Sequence, residues 1–206
     1  MSSPATRLVA RSAAAVSYDP RTGEAEGLVP DSDPAAVTHA LGEAAAAARA
    51  MASADTRARR AWLEALAAAV EAHAEELVAL ADRESGLGAP RLTGEVARMA
   101  MQMRFYAEVA LEGSWFGVTI DRQVGNLTGL RRVNQPLGPV AVFGASNFPF
   151  AFGLLGNDTA SALAAGCPVV AKAHPAHPAL CRRLGEIAVE ALRRAGAPEG
   201  CFGTVS

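Results

Sequence analysis

From Gly138 onward, short apolar runs alternate with stretches of helical periodicity, and this alternation constrains the fold more than any other feature of the sequence. Val140–Phe143 reads as a short buried strand, residues 150–165 as a helix closed by Gly166, and residues 168–172 as a second strand. Residues 178–195 read as a second helix closed by Gly196, and Phe202–Val205 as a third strand. A β-α-β-α-β order predicts an α/β fold with a parallel, Rossmann-like sheet, because parallel neighbours need a crossover and that crossover is right-handed. Ligands of such sheets bind at the carboxyl ends of the strands. The segments of interest are therefore residues 144–150 and 172–178. Doubly wound sheets continue to about five or six strands, so a sequence that stops at Ser206 reads as broken off in mid-domain, with an unpaired parallel edge.

The region before Gly138 carries other signals. Asp33 before Pro34 is an N-cap followed by proline at the first helical position, and the alanine-rich run extends that helix to about Ala52. A second helix starts near Asp55, and Trp62, Leu66, Val70, Leu77 and Leu80 keep the helical period until Gly86 and Gly88 stop it. A third runs from about Gly94 to Glu112 with Val96, Met99, Met103, Tyr106 and Ala110 on one face. Residues 115–121 and 129–134, separated by a Gly125-Asn126 turn signal, read as a β-hairpin whose edges suit either solvent or strand addition by another subunit. Residues 1–17 carry Arg7 and Arg11 and no acid, but lack the apolar core of a secretion signal. The chain thus divides into a lead-in at 1–17, a helical part at 18–113, a hairpin at 114–135 and the β-α-β-α-β unit at 136–206.

Half of the 206 residues are apolar and 19% are charged, which is enough to bury a core and excludes a disordered chain. No apolar run reaches the roughly 18 residues of a membrane span, since even the alanine-rich stretch is broken by Glu43, Arg49 and Asp55. A net charge of −2 with scattered arginines supplies no basic stripe, which argues against nucleic acid as a partner. Cys167, Cys181 and Cys201 are an odd set without C-x-x-C spacing, so a reducing cytoplasm is the expected setting and structural roles are expected for all of them. The basic residues number 19, yet Lys172 is the one lysine among them. Lysine offers a compact ammonium where arginine offers a planar fork, so this position calls for explanation.

Gly144, Ala145, Ser146 and Asn147 follow the first strand. Small residues let a ligand approach the backbone, and the Asn147 amide could donate to an oxyanion; the same residues also suit a tight strand-to-helix turn. After the second strand come Lys172, His174, Pro175 and His177, with no acid between Asp158 and Glu186. Dinucleotide folds place a carboxylate there to bond the adenosine ribose diol; an ammonium, with an imidazole beside it, instead favours a 2′-phosphate, hence NADP over NAD. His174 and His177 form an H-x-x-H without a nearby acid, so no metal is expected. No G-x-G-x-x-G follows a strand.

Several motifs together resemble the aldehyde dehydrogenase superfamily. They are Tyr18-Asp19-Pro20-Arg21-Thr22-Gly23-Glu24, Gln135-Pro136-Leu137-Gly138-Pro139-Val140, Ser146-Asn147-Phe148-Pro149-Phe150, and Ala164-Ala165-Gly166-Cys167-Pro168-Val169-Val170-Ala171-Lys172. The stretch from Asn157 through Pro178 is most similar to the branch that oxidises α-ketoglutaric semialdehyde (2,5-dioxopentanoate) and to NADP-linked fatty aldehyde enzymes. The resemblance implies that Asn147 holds the thiohemiacetal oxyanion, that Lys172 contacts the adenosine ribose, and that Gly144, Ala145 and Ser146 line the cofactor near the nicotinamide ribose. Pro175, next to His174, falls at the position of the ribose-binding glutamate of many NAD-preferring members. It further implies an oligomerisation role for the hairpin and a homo-oligomer for the full-length form.

Two positions depart from the family pattern: Ser146 replaces a tryptophan, and Pro175 stands where NAD-preferring members place a glutamate. The match covers only the N-terminal two-fifths or so of a family member, without the general-base glutamate, the nucleophilic cysteine or the catalytic domain. The implied reaction is oxidation of a small aldehyde to the acid with NADP preferred and NAD possible, and these residues alone are expected not to turn it over. Other expectations compatible with the sequence are a non-catalytic module that pairs with full-length relatives and an inert fragment.

Overall fold

A computed structural model describes residues 14–206. Strands β1 (Ala14–Tyr18) and β2 (Ala25–Pro30) pair antiparallel, with a bulge at Ser17/Tyr18. Their turn is closed by the Gly23 N–H donating to the Asp19 carbonyl at 2.7 Å, and Gly23 has φ +74°, a value glycine adopts without cost. Residues 14–17 of the expected lead-in belong to β1, and residues 1–13 lie outside the described residues. Gly27 and Pro30 in β2 had masked the alternation that marks a strand.

Helix α1 (Pro34–Ser53) starts where expected: the Asp33 carboxylate accepts from the Ala36 N–H at 2.7 Å. The predicted second helix is two, α2 (Thr56–Ala72) and α3 (Ala74–Ser85), broken at His73 with φ −109° and ψ 12°. The apolar period reads through the break because Val70 and Leu77 are both fully buried in the same core. Helix α4 (Ala89–Glu112) begins five residues before Gly94, since Pro90 occupies its first turn and Gly94 has open space around it. A short 3-10 turn (Ser114–Phe116) holds Trp115, and the hairpin proper is β3 (Thr119–Val124) with β4 (Leu127–Arg132).

Strand β5 (Val140–Phe143), helix α5 (Asn157–Ala165), strand β6 (Val169–Lys172), helix α6 (Pro178–Arg194) and strand β7 (Phe202–Val205) complete the chain. The strands lie parallel in the order β5-β6-β7. Right-handed crossovers between consecutive neighbours put both helices on one face of the sheet. Helices α5 and α6 pack in turn on α2, α3 and α4, while α1 packs on β6 and β7. One core joins these layers, with Leu63, Leu66, Met99, Phe150, Leu184 and Val169 among its members.

The helix predicted over 150–165 forms only from Asn157. Residues 146–156 are successive tight turns, because a Cβ at Gly153 would fall on the Pro149 carbonyl and one at Gly156 on that of Ala151. Phe150, Ala151, Leu154 and Leu155 anchor these turns in the core at 0–1% exposure.

Arg59 is a structural cation: it is 2% exposed and forms no ion pair among the described residues. Its guanidinium donates to the Met51 and Ala52 carbonyls at the end of α1 and to Ala164 at the end of α5. Two helix C-termini thus compensate a charge whose pKa burial lowers. No helix among the described residues is long and apolar enough to cross a membrane.

Candidate functional site

Phe143 stands level with Lys172 in the parallel pair β5–β6, so the loops that follow them leave the same edge of the sheet. These are the segments singled out from the sequence, and His177 joins them. Its ring is 1% exposed; Nε2 donates to the Ala145 carbonyl at 3.2 Å and Nδ1 faces Cys181 Sγ at 3.2 Å. The carbonyl partner assigns the proton to Nε2, leaving Nδ1 to accept from the thiol. Burial lowers the pKa of His177 against the opposing pull of the Ala145 bond, Glu84 and Glu95.

In the first loop, Gly144 abuts the Gly153 backbone, where an added Cβ would lie 3.1 Å from the Gly153 carbonyl carbon. The Ala145 N–H donates to the Phe152 carbonyl at 2.8 Å. Ser146 and Asn147 are exposed. The Asn147 backbone carbonyl accepts from Arg91 Nη2 at 2.6 Å, whereas its side-chain amide makes no hydrogen bond among the described residues. A ligand at the strand edge would find that amide unengaged.

In the second loop, the half-buried Lys172 ammonium donates to the Ala173 carbonyl at 2.7 Å and forms no ion pair among the described residues. His174 Nδ1 accepts from the Ala176 N–H at 3.0 Å, and its ring stacks on His177 with centroids 5.4 Å apart. Burial, then His177 and Lys172, lowers the His174 pKa, so its Nε2–H is a neutral donor at pH 7. Pro175 is exposed at the tip of the turn. With Nδ1 of His174 and both nitrogens of His177 engaged, the H-x-x-H pair has little to offer a metal, and no group of three metal-ligating side chains occurs among the described residues. Beside these strand ends lies a cavity of about 150 Å³ with Ala173, Pro178, Cys181 and Arg182 on its wall.

Each loop is held by a buried glutamate that sequence reasoning missed. Glu84 in α3 accepts from the Ala179 N–H at 3.0 Å and the Leu180 N–H at 2.8 Å, capping α6, whose own N-cap His177 makes no capping bond. Glu95 in α4 accepts from the Phe150 N–H at 3.4 Å and pairs with Arg91 at 3.2 Å. The Arg91–Glu95 spacing of four was a legible signal, although it reads equally well as a surface helix pair.

The profile of the aldehyde dehydrogenase family matches residues 9–206. The chain belongs to this family. Alpha-ketoglutaric semialdehyde dehydrogenase 2 of Azospirillum brasilense is 44% identical to it over 150 residues, 70% of this chain and 29% of the relative. The alpha-ketoglutaric semialdehyde dehydrogenase of Acinetobacter baylyi is 40% identical over 149 residues, 70% of this chain and 28% of the relative. A solved succinate-semialdehyde dehydrogenase from Burkholderia pseudomallei aligns with TM-score 0.82 and 27% identity over 94% of this chain and 38% of that one. The chain therefore spans about a third of the length of the aldehyde dehydrogenases it matches.

Aldehyde dehydrogenases use NAD(P), and the edge of this sheet can be tested against such a ligand. It fits: the Lys172 cation has a neutral carbonyl for its partner and no carboxylate, and neither loop carries an acid that would repel phosphate. The cysteines do not fit the nucleophile of an aldehyde dehydrogenase. Burial pushes Cys181 up to about 12 and Cys201 to about 11, and Cys167 is 3% exposed.

Proposed function

We propose that this chain supplies the oxyanion donor and part of the dinucleotide cradle of a dehydrogenase that oxidises a semialdehyde, such as 2,5-dioxopentanoate, to the acid, with NADP preferred over NAD. The observation that carries the reading is that the loop with the unengaged Asn147 amide and the carboxylate-free Lys172 ammonium follow the paired ends of two adjacent parallel strands, Phe143 and Lys172. The names of the two relatives at 40% identity or above favour the keto-acid semialdehyde.

Asn147 would donate its side-chain N–H to the oxygen that gains negative charge when a nucleophile adds to the aldehyde carbon. Lys172 and the His174 Nε2–H would hold the ribose phosphate, and Pro175 leaves room where a carboxylate would repel it. Gly144, Ala145 and Ser146 would form the floor along which the cofactor lies. The bound nicotinamide supplies the hydride acceptor. With each cysteine buried, these residues do not include the attacking thiolate, so the chain alone does not oxidise aldehyde.

The hairpin exposes Ile120 at 61% and Leu130 at 47%, which supports its use as a contact in a homo-oligomer. Three free, buried cysteines suit a reducing cytoplasm.

The test is aldehyde oxidation by the full dehydrogenase chain carrying these residues. Asn147→Ala is expected to lower kcat about a hundredfold, and an unchanged kcat would overturn the assignment. NADPH formation by the purified 206 residues above an Asn147→Ala control would overturn the expected inactivity.

A further inference from the structure

Five polar residues of α4 contact the segment from Asn147 to Asn157 in chain order. Arg91 reaches the Asn147 carbonyl at 2.6 Å and lies over the Phe148 ring, 5.0 Å from its centroid. Glu95 accepts the Phe150 N–H at 3.4 Å, and Arg98 lies over the Phe152 ring at 5.2 Å. Gln102 and Tyr106 donate to Asn157 Oδ1 at 3.5 and 3.2 Å. At 100° per residue these side chains fall within an arc of about 80°, flanking the apolar face that carries Leu92, Val96, Met99 and Met103 into the core.

We infer that Arg91 and Glu95 are positioning residues that set the orientation of Asn147, an inference that rests on reading Asn147 as the oxyanion donor. The Asn147 side chain has no hydrogen bond of its own among the described residues, so the backbone it stands on is what limits where its amide can reach. Arg91 fixes the carbonyl of that residue, and with it the peptide plane to Phe148, while its Nε is held by Glu95 at 3.2 Å. The other Glu95 oxygen takes the Phe150 amide, so one guanidinium–carboxylate pair grips the loop on both sides of Phe148. A planar fork is required, because lysine cannot serve a carbonyl, a carboxylate and a ring face at once. The Arg91 side chain is 44% exposed and leaves the core untouched when removed, which separates positioning from folding.

Amide exchange by NMR on the 206-residue chain reads the grip without turnover. Arg91→Ala, and Arg91→Lys as well, are expected to speed exchange of the Phe150 and Phe152 amides about tenfold and to leave α2 and α6 unchanged. Exchange equal to the parent chain would overturn the inference. In aldehyde oxidation by the full dehydrogenase chain, Arg91→Ala should lower kcat about tenfold with the cofactor KM unchanged, and should add nothing in an Asn147→Ala background. Losses that multiply in the double variant would show that Arg91 acts elsewhere and would overturn the inference, while Asn147 stands. An Asn147→Ala chain as fast as the parent would instead overturn the donor reading itself, and the inference with it.

Discussion

The two loops at the carboxyl edge of the sheet are held from the same helical layer by opposite means. The first, residues 144–156, is bulky, threaded by glycines and anchored by the buried Phe150, and its glutamate, Glu95, carries a cationic partner in Arg91. The second, residues 173–177, is short, and its glutamate, Glu84, forms no ion pair among the described residues. Glu84 is compensated by the amides at the N-terminus of α6, where the helix dipole favours an anion. The contrast extends to the groups left without a charged partner: the first loop carries the neutral Asn147 amide, the second the Lys172 ammonium. The charges that hold the loops thus come from the helices α3 and α4 and not from the loops themselves.

That contrast orders the expected effects. Glu84→Ala leaves two amides of α6 without an acceptor at a site 5% exposed, and should cost about 3 kcal/mol in urea unfolding. Glu95→Gln keeps an acceptor for the Phe150 amide and breaks a pair whose arginine is half-exposed, so the cost should be about 1 kcal/mol. Equal losses from the two substitutions would break the comparison.

Much of this architecture was legible before the structure. The β-α-β-α-β order, the two loops at the carboxyl ends of β5 and β6 and the helix starts at Asp33 and Asp55 follow from local periodicity and turn chemistry. The break at His73 was hidden because core packing continues across it, and the missing helix over 150–156 because carbonyl–glycine approaches are not local preferences. Glu84 and Glu95 escaped for another reason. They act on amides 95 and 55 residues away, a relation that one sequence does not encode as a pattern. The H-x-x-H spacing showed no role for His177, whose ring ties the first loop, through the Ala145 carbonyl, to Cys181 in α6.

The seam between the loops predicts a pH dependence smaller than either glutamate effect. Burial lowers the His177 pKa, so below the ordinary value near 6.5 the unfolded chain binds a proton that the fold resists. Stability is then full above about pH 6.5 and falls as the pH drops below it toward the lowered value, with His174 contributing in the same direction. Urea midpoints measured from pH 7 downward should decline less steeply in His177→Gln than in the parent chain. Identical slopes would mean the buried ring is not the sensor.

The smallest effect on stability belongs to Lys172. With one carbonyl partner and no ion pair, Lys172→Ala should change unfolding by less than about 0.5 kcal/mol. Its consequence should lie in ligand discrimination instead. The most direct test of the account is therefore equilibrium titration of the chain with NADPH and NADH, read by nicotinamide fluorescence, before and after Lys172→Ala. The account predicts tighter binding of NADPH, by about tenfold for one charge-assisted contact to the 2′-phosphate, and loss of that preference in the variant. Equal affinity for the two dinucleotides, or a preference that survives Lys172→Ala, would contradict it.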